Sequence, residues 1–300
     1  MPFTSASLLP VFAIGAYFAY QGDGLFNISQ FIMTIFGILL AHLGMNVYND
    51  YFDVKDGTDE ENAEYFQQVS GGSRAIELGL ISLKGTKNLA TTLLLASLLI
   101  GGLILYNMNI NNINHSIIII IAALFLGYFY TGRPLRLVAR RGLGELAIFL
   151  AFGPLLTIGT GLAIYNGAFI ESKYFMDCLY LGIPLGLLTT NILLINEFPD
   201  MRGDAKTNKN HLVVTFGKKA SRWIYLSILI LFGVSSIWIA YLLSNTFIAI
   251  GSILCLLYGM YIFKNIYKNY DTRELASSNW STIYLHTFYS IIICICMLVS

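Results

Sequence analysis

The chain has 300 residues, 56% of them hydrophobic and only 12% charged, with 18 basic side chains against 17 acidic ones. Soluble proteins carry about a quarter charged residues, so this composition excludes a pair of soluble domains, and a net charge of +1 gives no electrostatic case for nucleic acid as a partner. Apolar runs of about 20 residues, each enough to cross about 30 Å of hydrocarbon, recur along the whole length without a linker, so residues 1–300 read as a single all-α polytopic membrane domain whose solvent is lipid.

Taken in chain order, the apolar runs between polar breaks predict nine transmembrane helices, at 7–20, 29–48, 88–106, 115–130, 144–164, 175–196, 222–243, 246–263 and 282–299. The first run lacks a basic flank and a small-residue cleavage site, so Ser7 to Tyr20 reads as a retained span rather than a leader. Loops after the even-numbered spans hold 17 of the 18 cationic residues, Lys173 being the exception. Lysine and arginine mark the cytoplasmic face, which predicts a cytoplasmic N-terminus and an external C-terminus. Cys178, Cys255, Cys294 and Cys296 lie in or beside apolar runs with no metal-ligand spacing, and read as packing residues. His42 and His286 lie inside predicted spans and read as hydrogen-bonded interior residues.

The second and sixth spans run into two similar acidic clusters. One is Asn46-Val-Tyr-Asn49-Asp50-Tyr-Phe-Asp53-Val-Lys-Asp56-Gly-Thr-Asp59; the other is Asn196-Glu197-Phe-Pro-Asp200-Met-Arg-Gly-Asp204. Both contain Asn-(Asp/Glu)-x-x-Asp at the same end of an even-numbered span, and residues four apart share one helix face. The bland reading is solvated loop charge, but two matching clusters on one membrane side argue against it, because carboxylates at membrane depth are costly and usually functional. Hard oxygen ligands without paired Cys or His fit Mg²⁺, which is usually held by a few carboxylates together with substrate phosphates. Two facing carboxylate sets with cations nearby therefore suggest a diphosphate, and a membrane-embedded site gives that diphosphate an apolar tail. A polyprenyl diphosphate has both.

On these motifs the chain resembles the UbiA superfamily of intramembrane prenyltransferases. The stretch Lys209-x-x-Leu212-Val-Val-Thr-Phe-Gly217 is similar to the one that follows the family's second motif. Within the family the chain looks most like the 1,4-dihydroxy-2-naphthoate prenyltransferases of menaquinone synthesis, through Asn49-Asp50-Tyr-Phe-Asp53 with Gly57-Thr-Asp59, Gly71-Gly-Ser-Arg74, Tyr130-Thr-Gly-Arg-Pro-Leu-Arg136 and Gly142-Leu-Gly-Glu145. The resemblance implies about nine helices around a central cavity and both aspartate motifs on cytoplasmic loops. It also implies Mg²⁺-dependent transfer of a prenyl group to an aromatic acceptor. Asp53 and Asp200 are then the candidate catalytic residues, and Asn49, Asp50, Asp53, Asn196, Asp200 and Asp204 the candidate metal ligands. Arg74, Tyr130, Arg136 and Lys209 are candidate diphosphate contacts, each with a plainer reading as a turn, an interfacial aromatic or an inside-positive charge. Asn46 and Glu145 are further candidates, the latter equally readable as a favourable charge at a helix N-terminus. Asp56 departs from the branch pattern and leaves the third ligand of the first motif open between Asp56 and Asp59. Rival readings are a superfamily member with another acceptor such as 4-hydroxybenzoate, a prenyl cyclase, and a cation transporter.

Overall fold

A computed structural model describes residues 4–22, 24–58, 64–66 and 69–298. Helix α1 (Ser5–Gln21) is followed by α2 (Ile28–Lys55), α3 (Leu83–Asn107), α4 (Ile110–Thr131), α5 (Leu143–Phe152), α6 (Pro154–Ile164), α7 (Lys173–Lys206), the short α8 (Leu212–Phe216), α9 (Lys218–Leu242), α10 (Thr246–Asn269) and α11 (Ala276–Leu298). Among the described residues, eight segments are long and apolar enough to cross a membrane, with α5 and α6 counted together as one. Helix α1, shorter at 17 residues, is buried along Ala6, Pro10, Ile14 and Phe18 and packs on α11, α6 and α2. The architecture is therefore an all-helical integral membrane bundle, as the apolar runs predict.

The depth of each helix follows its chemistry. In α7, 72% of the apolar window lies inside the protein, against 11% for α3 and 6% for α4, so α7 is the hub and α3 and α4 form an outer wall. Outward-facing Leu99, Tyr106 and Ile118 on that wall are exposed, which suits contact with lipid tails rather than water. Close packing at the hub depends on missing side chains. A Cβ on Gly182 would stand 2.8 Å from the Gly153 carbonyl carbon, and one on Gly186 would stand 3.0 Å from the Gly153 Cα. This Gly-x-x-x-Gly face of α7 receives the break between α5 and α6, where Pro154 starts the second half-helix.

Both aspartate motifs extend helices rather than forming loops. The second span continues to Lys55 and the sixth to Lys206, well past their apolar runs. This corrects the loop placement implied by the family resemblance. Helix α7 even continues through Pro199, whose ring removes the hydrogen bond to the Ile195 carbonyl. The Asn279 side-chain amide of α11 donates to that carbonyl at 3.1 Å instead, and to Asn196 Oδ1 at 2.7 Å. The motif helix is thus repaired from a neighbouring element, which a hydropathy pattern does not reveal.

Candidate active site

Asp53 at the end of α2 and Asp204 at the end of α7 are both buried. Between them stands Lys209, from the turn after α7, with Nζ 3.3 Å from Asp53 Oδ2 and 3.7 Å from Asp204 Oδ1. Burial opposes the ammonium charge, but Asp204 and Asp53, with Asp200 further out, outweigh it and hold the Lys209 pKa above its ordinary value. The two motifs therefore converge on one cation, although they are far apart in sequence. The like-charged carboxylates of the two facing helices tolerate each other here because the cation is shared.

The segment after α2 ties the motifs together a second time. The amide of Gly71 donates to Asp200 Oδ2 at 3.2 Å, and the amide of Ser73 donates to Asp50 Oδ1 at 3.4 Å. Gly71, Gly72 and Arg74 all have positive φ (73°, 70° and 56°), the conformation that turns successive amides towards one side. A Cβ on Gly71 would also lie 2.5 Å from Tyr65 Cβ, so glycine is required twice over. The Arg74 guanidinium meets Glu77 at 2.9 Å and lies over the Tyr65 ring.

Arg136 sits at the rim, with Nε 3.3 Å from Asp56 and further donations to the Thr207 carbonyl and Thr58 Oγ1. Arg133 meets the other Asp56 oxygen at 3.0 Å. Asp56 is thus engaged by two arginines, and Asp59 lies outside the described residues. Among the described residues, Asp56 makes its ion pairs with these two arginines rather than with Lys209. Asn196 is held by Asn279, whereas Asn49 Oδ1 is buried with no hydrogen-bond partner among the described residues.

Asn46, Asn49 and Tyr130 open onto the other half of the site, a cavity of about 590 Å³. Its walls come from α2 to α6 and are largely apolar, with Ile38, Met45, Leu105, Leu124 and Leu155 among them. Helix α3 packs along α2 and makes no comparable contact with α4, though a two-residue turn joins them. Lining residues Leu98 of α3 and Ile121 of α4 are 44% and 62% exposed, so the cavity opens sideways towards lipid. His42 also lines it, with Nδ1 2.7 Å from Ser7 Oγ, while His286 is buried away from it without a polar partner among the described residues.

Two functional-site residues, His211 and Glu197, are absent from the candidates read from the sequence, whereas Glu145 is among them. His211 places Nε2 3.0 Å from Asp204 Oδ2 and Nδ1 3.2 Å from Glu197 Oε2. Burial alone would lower its pKa, but the facing Glu197 and Asp204 carboxylates raise it to about 10. Glu145, in the first turn of α5 where its charge suits the helix N-terminus, also accepts the Leu212 amide at 2.7 Å and so holds α8. Glu197 lies within the second motif, and a histidine seven residues past its last aspartate was the available signal for His211.

The carboxylates of Asp50, Asp53, Asp200 and Asp204 and the orphaned Asn49 oxygen are hard-oxygen donors of the kind Mg²⁺ takes, the carboxylates being linked to one another through Lys209 and the Gly71 and Ser73 amides. A site of this kind, beside a greasy chamber, can be compared with known proteins. Residues 7–290 match the model of the UbiA prenyltransferase family. The chain is 27% identical over 239 residues to a 2-carboxy-1,4-naphthoquinone phytyltransferase of Synechocystis, covering 79% of this chain and 70% of that protein. It is similar to the chloroplastic phytyltransferase of Arabidopsis thaliana at 27% identity, over 75% of this chain but only 55% of that protein. A 1,4-dihydroxy-2-naphthoate octaprenyltransferase of Haemophilus influenzae is 29% identical over 74% of this chain and 68% of its own length. Among solved structures, a UbiA homologue from Archaeoglobus fulgidus bound to DMAPP and Mg²⁺ shares the fold, with a TM-score of 0.67 at 14% identity, covering 97% of this chain and 96% of that one. With the family model matched over nearly its full length, the chain belongs to the UbiA prenyltransferase family.

Proposed function

We propose that the protein transfers a prenyl group from a polyprenyl diphosphate to an aromatic acceptor of the 1,4-dihydroxy-2-naphthoate type, in a Mg²⁺-dependent reaction that releases diphosphate. One observation carries this reading: Asn46 and Asn49, on the same helix as Asp53, and Tyr130 line a largely apolar cavity beside the point where the two aspartate motifs converge on Lys209. A molecule that satisfies both halves has a polyanionic head and a hydrocarbon tail. The acceptor class is supported by relatives that are named for naphthoate chemistry.

Asp53, Asp200 and Asp204, with Asn49, would hold the metal, since they supply the charge and the unpartnered oxygen a hard cation requires. Bound Mg²⁺ supplies charge neutralisation at the leaving diphosphate. Lys209 would bind a diphosphate oxygen and assist the same charge development, and Arg136 and Arg74 would guard the head group from the rim. The apolar walls would exclude water from the allylic carbon, which a water molecule would otherwise capture. Aromatic faces such as Tyr130 would favour positive charge at that carbon. Attack by an electron-rich acceptor carbon then completes the new C–C bond, and at a carboxylated carbon it would expel carbon dioxide.

The positive-inside pattern supports a cytoplasmic N-terminus and a site on the cytoplasmic side of the cell membrane. The direct test incubates the purified protein with Mg²⁺, one polyprenyl diphosphate and a panel of aromatic acids including 4-hydroxybenzoate, read by mass spectrometry. Prenylated naphthoate product alone supports the full reading. Prenylation of a different acid moves the acceptor, a cyclised prenyl product removes it, and no turnover of the diphosphate overturns prenyl transfer altogether.

A further inference from the structure

Glu145, Glu197 and His211 come from three separate elements, the start of α5, the interior of α7 and the turn before α8. Their side chains are 3%, 5% and 1% exposed, and one polar atom from each lies within 4.8 Å of the other two. Two members are oriented from behind. Asp204 Oδ2 meets His211 Nε2, which turns Nδ1 inward, and the Leu212 amide takes one oxygen of Glu145. Glu145 Oε2 and Glu197 Oε1 are fully enclosed with no hydrogen-bond partner among the described residues, and Glu197 Oε2 faces His211 Nδ1 at 3.2 Å. Nδ1 otherwise receives a long contact from the Val214 amide, at 3.3 Å.

Buried carboxylate oxygens without donors are costly, by about 1–3 kcal/mol or more each, and here both glutamates of the cluster carry one. The 3.2 Å from Nδ1 to Glu197 Oε2 is near the separation, roughly 3.3 Å, of two ligands held about 2.0–2.1 Å from one ion. A histidine ligand whose second nitrogen faces a carboxylate is the common backing arrangement for bound metal. We propose that Glu145, Glu197 and His211 form a second cation site, backed by Asp204 of the second motif but using none of the aspartates as a ligand, for a divalent transition metal of the zinc class. The imidazole nitrogen selects against Mg²⁺ and the absence of thiolate against soft ions. Three protein ligands leave a further position for solvent or a substrate oxygen. Tyr130 of the cavity wall lies within electrostatic reach of both glutamates, so the site would border the head of the cavity. Its existence does not depend on prenyl transfer.

The test loads the purified full-length protein with Zn²⁺, removes free ion by gel filtration, and measures retained zinc by elemental analysis beside the thermal midpoint. The expected result is about one zinc per chain and a raised midpoint for the unmutated protein. Glu197→Gln and His211→Gln should each weaken zinc retention about tenfold or more, whereas Asp53→Asn should leave it unchanged. If His211→Gln does not fold, Glu145→Gln replaces it, with the same expectation. Absence of retained zinc and of any midpoint shift in the unmutated protein would overturn the site. So would equal retention by the glutamate and histidine variants, or loss of zinc in Asp53→Asn, which would place the ion in the aspartate motifs.

Discussion

At the scale of single residues, the carboxylates around Lys209 separate chemistry from folding. Asp53→Asn keeps size and one acceptor oxygen but removes the charge that binds a hard cation. Removing electrostatic stabilisation at a reacting centre typically costs about a hundredfold or more in rate. The fold should lose less, because Asp204 continues to face Lys209 when Asp53 is neutral. Asp200→Asn retains an acceptor for the Gly71 amide and should behave alike. For both variants, product formation should fall at least about a hundredfold while the thermal midpoint moves by a few degrees. Near-normal turnover would leave the proposed chemistry without a basis. Chelation of Mg²⁺ should abolish turnover of the unmutated protein, and added Mg²⁺ should restore it; activity persisting in chelator would remove the metal from the mechanism. These aspartates were legible because their pattern is repeated at matching ends of two apolar runs. His211 was not, because a lone histidine in a polar turn has no periodicity, and only the fold brings Glu145 and Glu197 to it.

Among the helices, glycine does two opposite jobs. Gly182 is filled from outside: its missing Cβ position is occupied by Thr157 and the backbone of Gly153 and Pro154. Gly182→Val should therefore force α7 away from the α5–α6 break. Overpacking of this kind costs about 1–3 kcal/mol, and the thermal midpoint should drop accordingly. Gly101 of α3 instead faces the cavity with nothing within 4 Å of a Cβ. Gly101→Phe should leave the thermal midpoint near that of the unmutated protein and shorten the longest prenyl diphosphate converted, measured by product length across a donor series. An unchanged length profile would show that the chain does not run along α3. The apolar runs located all the membrane helices, but three features lay beyond them. The extension of α2 and α7 through charged residues depends on Lys209 and the loop amides, and the continuation through Pro199 depends on Asn279. The break at Gly153 is masked because both halves are uniformly apolar.

Over the whole molecule, the distribution of cations and the number of crossings must agree. Seventeen of 18 lysines and arginines fall in loops after even-numbered spans, and only Lys173 falls on the other side. Such segregation orients a membrane protein with its basic loops inside, and it survives only if every helix is counted. The weakest member of that count is α1, whose 17 residues at about 1.5 Å each give roughly 26 Å, short of the usual 30 Å of hydrocarbon. Its burial against α11, α6 and α2 nevertheless places it within the bundle rather than on its surface. Thinning of the bilayer around a short helix costs only fractions of a kcal/mol per Å, so packing decides. With nine crossings the two termini lie on opposite sides. A reporter inserted between Lys206 and Lys218 should read as cytoplasmic, together with one at the N-terminus, and a reporter at the C-terminus should read as external. An external reading from the Lys206–Lys218 loop would invert the molecule and put the aspartates on the wrong side for a cytoplasmic diphosphate. Matching readings from the two termini would mean that α1 is packed into the bundle without crossing, leaving eight spans beneath the same site.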